Sequence, residues 1–392
     1  MLFIFLFTLI ITTTFKLIIY FENWLKIVYN IVSMEIKSVE LKNFRNYTLQ
    51  KVGFKSGLNI LEGKNAQGKT NLLEAVFLCA IGKSPRTNKE KELLKWNEQM
   101  GKVTIEFTKK SGTKKIELYL FSNQNKAIKI NGVPIKKLGE LMGELNAIYF
   151  SPDELKLVKE SPDERRRFMD IDLCQFNKNY FYALNKYNKI LNQRNKLLKS
   201  GNLQSIKETI SIWNEQLSEQ ACYIILKRLE LIDKLKVFAE RAHYYLTDNQ
   251  EKMVLSYVGL TDTSKETLKQ KLVKLYETSL EKDLNLGYTT VGPHRDDIKI
   301  MVNDVDIRHF GSQGQQRSCA LSLKLAELEI FKSNLGEYPV LLLDDVLSEL
   351  DEFRREKLLK IINNFQTLLT CTEYNLNLPA NVLKVKSGTV EN

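Results

Sequence analysis

The chain has 392 residues, of which 43% are hydrophobic and 27% are charged, a composition typical of a globular protein with two or three domains. Its 58 basic residues outnumber its 47 acidic ones, and the net charge of +11 favours a polyanionic partner over a merely solvated basic surface. Five scattered cysteines and three histidines exclude a disulfide framework and show no metal-ligand spacing.

Residues 1–33 differ in composition from the rest of the chain. Residues 1–21 are almost all apolar, but Lys16 interrupts them and they are barely long enough to span a membrane. Residues 1–33 lack Ala, Gly, Pro and Arg, as translated AT-rich non-coding DNA would. We therefore expect Met34 to be the true start, with a genuine membrane anchor as the alternative, and we expect no stable membrane association.

The first half of the chain is predicted to begin with strands around one apolar helix. Alternating apolar and polar residues predict a strand at 34–41, and a second strand is predicted at 52–61. The helix is predicted over 69–81. Three antiparallel strands are then predicted, with Asn131-Gly132 as a hairpin turn, at 102–108, 115–121 and 126–130.

The middle of the chain is predicted to be helical. Apolar residues recur every three or four positions, which predicts two long helices over 163–199 and 206–246, packed antiparallel as a hairpin. A third helix is predicted over 263–284, with Thr263 and Glu266 as its capping box. Strands and helices alternate again afterwards, with strands at 298–302, 340–343 and 367–371 and helices at 313–332 and 352–365.

The turn between the second strand and the first helix matches the pattern G-x-x-x-x-G-K-[ST]. Its backbone N–H groups are predicted to converge on the phosphates of ATP, with Lys69 on the β- and γ-phosphates and Thr70 on Mg²⁺. The alternative, a chance glycine-rich turn, is disfavoured because a strand precedes the turn and a helix follows it. The predicted nucleotide-binding residues are Gly63, Lys64, Asn65, Ala66, Gln67, Gly68, Lys69 and Thr70.

A second nucleotide motif is the apolar run 340–343, which ends in two acidic residues. A buried parallel strand would deliver Asp344 to Mg²⁺ at its carboxyl edge, and Asp345 would polarise the attacking water. Asp345 and Lys69 are therefore the predicted catalytic residues, and Thr70 and Asp344 the predicted metal ligands. Taken alone, the two acids could instead cap a helix.

A third motif begins at Gly311 and opens a helix, for which Ser312 is a suitable N-cap. Because residues 348–351 follow the acidic strand closely, the set resembles the signature and D-loop of ABC-type ATPases. The predicted signature residues are Ser312, Gln313, Gly314 and Gln315. The fold class predicted is α/β, a split ABC-type P-loop ATPase head at 34–160 and 285–392 with an antiparallel long-helix insertion domain at 161–284.

These motifs and their order resemble the RecF family of bacterial DNA replication and repair proteins. The resemblance spans residues 34–372, and further stretches support it: LKNFRNY at 41–47, SPDELKLVKESPDERRRFMD at 151–170 and GPHRDDI at 292–298. SMC and double-strand-break-repair heads share the nucleotide motifs, but they would carry a far longer coiled coil than residues 163–246 allow.

The resemblance implies a cytoplasmic, weak DNA-stimulated ATPase that uses ATP as a conformational switch. It implies binding to single-stranded DNA and gapped or junction duplexes, recombinase loading with the partner proteins RecO and RecR, and a part in the SOS response. ATP would hold two heads together, with Ser312 and Gly314 of one copy facing the γ-phosphate bound at Lys69 of the other. Arg45 is a further expected nucleotide contact.

DNA contacts are harder to predict. Three adjacent arginines, Arg165, Arg166 and Arg167, could bind phosphates or pair with neighbouring acids. A membrane transport ATPase is an alternative class suggested by residues 1–21, but it leaves the helical insertion unexplained. A nuclease-linked ATPase of the overcoming-lysogenisation-defect type would need a further acidic metal-binding domain.

Overall fold

The computed structural model describes residues 33–201, 203–374 and 378–391. The expectations for the N-terminal extension concern residues 1–33, of which 1–32 lie outside the described residues. Among the described helices, none combines the length and the apolar character needed to cross a membrane.

The described strands come from all parts of the chain. They are β1 Glu35–Phe44, β2 Tyr47–Gly53, β3 Leu58–Glu62, β4 Met100–Lys109, β5 Gly112–Phe121, β6 Ala127–Ile130, β7 Val133–Pro134, β8 Ala147–Phe150, β9 Met253–Val258, β10 Asp297–Val302, β11 Val305–Asp306, β12 Val340–Asp344, β13 Thr367–Cys371, β14 Asn381–Lys386 and β15 Thr389–Glu391.

The described helices concentrate in the middle of the chain. They are α1 Lys69–Ile81, α2 Lys156–Lys159, α3 Pro162–Phe176, α4 Lys178–Ser200, α5 Leu203–Leu246, α6 Lys265–Thr278, α7 Leu280–Leu286, α8 Ile307–Phe310, α9 Gln313–Leu335 and α10 Glu352–Ile362.

A six-stranded sheet, in the order β15-β14-β3-β13-β12-β8, forms the centre of the head. Its pairs are parallel except for β14–β15. Strands β3 and β8 precede the helical segment and β12 to β14 follow it, so the sheet is assembled from both sides of an insertion. The fold class is therefore the predicted one, a split α/β head with a helical insertion, while the exact domain boundaries stay predictions.

Helix α1 packs between this sheet and a second, antiparallel sheet in the order β2-β1-β4-β5-β6-β7. Because it is covered on both sides, every residue from 72 to 80 is buried. That explains why its sequence is apolar all round rather than striped. Glu74 is the acidic exception in this run, and it is paired with Arg45.

The insertion is built on the predicted hairpin of long helices. Side-chain hydrogen bonds join Asn177 to Tyr223 and Arg194 to Asn214, an order that makes α4 and α5 antiparallel. Helix α9 in turn runs antiparallel along the second half of α5. His243 of α5 contacts Ser322 at 3.1 Å, and Lys234, earlier in α5, donates to Asn334 near the end of α9. The insertion is thus tied to the helix that carries the signature motif.

Several predicted boundaries are wrong. The single strand at 52–61 is instead the end of β2 and the separate strand β3, which belong to different sheets, with Gly57 in a left-handed turn between them. The helix at 163–199 is two helices, since Asn177 is extended and its side chain caps α4. Ser264, not Thr263, caps α6, and α7 begins anew after Ser279. Strands β7, β8, β9, β11, β14 and β15 were not predicted.

Candidate nucleotide site

One of the two glycines of the phosphate loop has a backbone conformation that favours glycine. Gly68 caps α1 with φ at 117°, and a Cβ there would lie 2.8 Å from the Asn46 side chain. Ala66 also has a left-handed φ of 63°. The loop therefore bends back over the start of α1, where the unpaired N–H groups of the first turn attract anions.

Lys69 lies inside this loop rather than in solvent. It is 3% exposed, and its ammonium Nζ donates to the carbonyl oxygens of Gly63 at 2.5 Å and Lys64 at 3.1 Å. A buried cation held by neutral carbonyls has no carboxylate partner among these contacts, so an anionic ligand within the loop would supply the missing counter-charge.

Thr70 and Asp344, the two predicted metal ligands, meet at the base of the loop. The Thr70 hydroxyl donates to Asp344 Oδ1 at 2.8 Å, Thr370 donates to the same oxygen at 2.9 Å, and Tyr149 donates to Oδ2 at 2.8 Å. Asp344 is 6% exposed. The sequence motifs missed Tyr149 and Thr370 as partners of this carboxylate, because both come from neighbouring strands of the sheet, β8 and β13.

The paired Thr70 and Asp344 oxygens fit Mg²⁺. This ion prefers hard oxygen ligands and is usually held by one or two protein groups together with nucleotide phosphates and water. Within the described residues, no group of three or more His, Cys, Asp or Glu side chains is arranged to hold a metal ion. Bound there, Mg²⁺ would neutralise phosphate charge, and Thr70 and Asp344 would hold it.

Asp345 follows the strand in a left-handed conformation with φ at 51°. Its backbone N–H donates to Thr370 Oγ1 at 2.8 Å, which fixes this turn. Burial raises the pKa of the Asp345 carboxyl, the nearby Lys69 opposes that rise, and Asp344 adds to it. A carboxyl with a raised pKa next to the lysine of the phosphate loop is suited to the predicted role as a base.

Residues outside the motif hold the loop from two sides. Asn46 donates to the carbonyl of Gln67 at 2.9 Å, and Tyr47 donates to that of Gly68 at 3.0 Å. From the far end of the chain, the Gly388 N–H donates to Gln67 O at 2.9 Å and the Ser387 N–H to Gln67 Oε1 at 2.7 Å. The contacts from Asn46 and Tyr47 had a signal in the sequence, the stretch 41–47. The turn at 387–388 had none.

The signature residues form a closed capping box. Ser312 Oγ accepts from the Gln315 N–H at 3.2 Å, and Gln315 Oε1 accepts from the Ser312 N–H at 3.0 Å. Ser312 and Gln313 are exposed, and a Cβ on Gly314 would meet nothing closer than 3.9 Å. The start of α9 is thus an open, preformed helix N-terminus. No hydrogen bond or ion pair of the described residues joins it to the phosphate loop, and its action on a second copy stays a prediction.

Arg45 is engaged in protein contacts. Its Nε and one Nη donate to the two carboxylate oxygens of Glu74 at 2.9 and 2.7 Å, and its other Nη donates to the carbonyl of Glu92 at 2.7 Å. Glu74 is fully buried on α1, and it also accepts from the Ser84 hydroxyl at 2.5 Å and lies 3.5 Å from Arg86. These bonds support a role in holding β1 against α1 rather than the expected contact with nucleotide.

The three adjacent arginines have different surroundings. Arg165 is 2% exposed and makes a bidentate pair with Asp297 at 2.5 and 2.9 Å, so its expected DNA contact is replaced by the buried ion pair. Arg166 donates to the carbonyl of Asp296 at 2.6 Å and pairs with Asp163. Arg167 is half-exposed, with Glu164 at 3.9 Å, and alone of the three keeps its charge near solvent.

Comparison with known proteins identifies the class of fold to which this chain belongs. The head domain of an SMC protein from Pyrococcus furiosus, 15% identical, superposes with a TM-score of 0.55 over 91% of this chain and 95% of that one. The model of the RecF/RecN/SMC N-terminal domain matches residues 35–385. The molecule therefore has the fold of an ABC-type ATPase head.

More similar relatives narrow this class. The DNA replication and repair protein RecF of Clostridium novyi is 43% identical over 364 residues, 91% of this chain and 99% of that protein. The same-named protein of Ruminiclostridium cellulolyticum is 45% identical over 368 residues, 91% of this chain and 99% of its own length. A structure of the recombination mediator protein RecF with ATP, 38% identical, superposes with a TM-score of 0.87 over 93% of this chain and 98% of that one. This chain belongs to the RecF family of DNA replication and repair proteins.

Proposed function

We propose that this protein is an ATP-switched DNA-binding protein of recombinational repair and replication restart. The observation that carries the proposal is the junction of Thr70 and Asp344 beneath the loop that holds Lys69. That geometry presents a buried cation and two hard oxygen ligands to a Mg²⁺-bound triphosphate. The family membership supports the choice of DNA as the partner, as does the net charge of +11.

ATP acts in this proposal as a bridge between two copies. The exposed N-terminus of α9, with Ser312 and Gly314, completes the phosphate site of a second molecule, so ATP favours a head-to-head homodimer that ADP does not hold. Slow hydrolysis with Asp345 as base resets the switch. The dimer acts in the cytoplasm at single-stranded gaps and junctions, helping recombinase loading with RecR and RecO and SOS induction.

The test compares the wild-type protein with Lys69→Ala and Ser312→Arg. Sedimentation with ATP and Mg²⁺ should show a wild-type dimer, a Lys69→Ala monomer without nucleotide, and a Ser312→Arg monomer that still binds nucleotide. Binding to a gapped duplex should require ATP in the wild type and fail in both variants. A wild-type protein that stays monomeric with ATP bound, or binds DNA equally without it, would overturn the proposal.

A further inference from the structure

Helix α4 has a polar face directly opposite its buried one. Its fully buried side chains Tyr180, Tyr187, Arg194 and Leu198 lie on one side. On the other side, exposed positions recur at spacings of 3, 4, 3, 4 and 3, which places them in one line along the helix. This basic stripe consists of Tyr182, Asn185, Lys189, Asn192, Lys196 and Lys199, and it is about 25 Å long at 1.5 Å per residue.

The charge of α4 is unusually one-sided. Its 23 residues include five lysines and one arginine but no acidic residue. The arginine, Arg194, is neutralised internally by Asp283, with both side chains fully buried. The three stripe lysines form no ion pair within residues 33–201, 203–374 and 378–391.

A second lysine-rich helix of the same domain shows that this is not simply the local composition. Three of the four lysines of α6 are matched by acids: Lys265 and Lys269 pair with Glu219, and Lys271 pairs with Asp262 at 2.5 Å. Mixed positive and negative charges of this kind are sufficient to keep an exposed helix face soluble. The unmatched lysines of α4 instead repel one another, and a polyanion lying along the helix would relieve that repulsion.

We propose that the basic stripe binds the phosphate backbone of duplex DNA, an inference that rests on the proposed function and names the surface it uses. Lysine ammonium and asparagine amide groups are donors suited to phosphate oxygens. A rigid stripe of about 25 Å corresponds to about seven base pairs of duplex. A single strand is less suited, because Tyr182 is the one aromatic residue of the stripe and successive bases would find no further stacking surface.

The stripe is continuous with the head at its N-terminal end. The ring of Tyr182 lies so close to Gly139 that a Cβ there would come within 2.5 Å of it. Gly139 lies just before β8, the strand whose Tyr149 binds Asp344. A duplex bound along α4 would therefore lie against the segment that leads into the nucleotide site.

The experiment uses the full-length protein with Lys189, Lys196 and Lys199 changed together to Gln. A matched control changes three lysines that are already paired with carboxylates within 3.5 Å, namely Lys37, Lys115 and Lys236. Both variants lose three positive charges. Fluorescence anisotropy with a 30-base-pair duplex, in saturating ATP and at several salt concentrations, gives the affinity and its salt dependence.

The stripe variant should bind duplex at least about tenfold more weakly near 0.1 M salt, and its log–log salt slope should fall by about 2 to 3, close to one per lost phosphate contact. The control should change both quantities little. Equal losses in the two variants, an unchanged slope in the stripe variant, or a larger loss on single-stranded DNA than on duplex would overturn the assignment. Failure of the wild-type protein to bind DNA would instead overturn the proposed function itself.

Discussion

The hydroxyl of Thr70 donates a 2.8 Å hydrogen bond to the carboxylate of Asp344, 274 positions later in the chain. Thr70 lies in the first turn of α1 and Asp344 ends β12, so this bond joins the two parts of the head on either side of the insertion. Both residues were predicted as metal ligands from separate motifs. Their contact shows that the fold brings the two motifs to one point.

Tyr149 should strengthen the binding of Mg²⁺-ATP at the predicted metal site formed by Thr70 and Asp344. Tyr149→Phe removes the donor to Asp344 Oδ2 and leaves a buried carboxylate with one bond fewer. We expect the affinity for Mg²⁺-ATP to fall about tenfold, close to 1.4 kcal/mol, while nucleotide binding without Mg²⁺ changes little. Titration calorimetry with and without Mg²⁺ measures both. Tyr338→Phe, which removes a similar donor to Glu329, is the control. An equal loss with and without Mg²⁺ would contradict the expectation.

Arg45 should act on stability rather than on nucleotide binding. Arg45→Ala removes the bidentate partner of the fully buried Glu74 carboxylate, which keeps Ser84 at 2.5 Å and Arg86 at 3.5 Å, at an expected cost of about 2 kcal/mol of unfolding free energy. Adding Glu74→Gln should recover part of that loss, because the buried charge is then gone. Urea denaturation of the two variants measures the effect. An unchanged stability together with a weakened affinity for ATP would show that Arg45 contacts nucleotide after all.

Arg165 and Arg167 should differ in how much each contributes to the free energy of unfolding. Arg165→Ala leaves Asp297 without its bidentate partner and should lower the unfolding free energy by about 3 kcal/mol. Arg167→Ala removes a half-exposed charge 3.9 Å from Glu164 and should cost less than about 0.5 kcal/mol. Chemical denaturation of both variants tests this contrast, and similar losses in the two would refute it.

Asp172 should make stability depend on pH. Burial raises the pKa of this carboxyl to about 7, Glu154 adds to the rise and Lys324 opposes it. The native state therefore holds a proton that the unfolded chain, with an aspartate pKa of about 3.9, has released. Stability should fall as the pH rises from about 4 to about 7 and level off above that range.

Asp172→Asn should remove the part of this dependence that Asp172 contributes, while Glu327, whose pKa is also raised by burial, keeps its own. The variant should exceed the wild type in unfolding free energy by about 2 kcal/mol at pH 8, and the difference should shrink towards pH 5. Denaturation at the two pH values measures it, with the exposed Asp233→Asn as control. If the variant's advantage in unfolding free energy over the wild type were smaller at pH 8 than at pH 5, the prediction would be contradicted.

Local patterns in the sequence were sufficient for the phosphate loop, the acidic strand end and the N-cap at Ser312. Each of these depends on neighbouring residues in the chain. The partners of Asp344 could not be predicted, because Tyr149 and Thr370 become its neighbours only through the order of the strands in the sheet. The arginines at 165–167 share one local sequence, and only packing decides which of them is buried.

The turn at Ser387 and Gly388 has a consequence for how the protein is made. Ser387 donates a hydrogen bond to Gln67 of the phosphate loop. The contacts of this loop are therefore complete only after residues 320 positions later in the chain have been made. During synthesis, the emerging first half of the head has no partner strands on either side of β3, and closing so long a loop is slow. A nascent chain should thus gain its affinity for ATP only after residues 387–388 have been made, which keeps shorter nascent copies out of the switch.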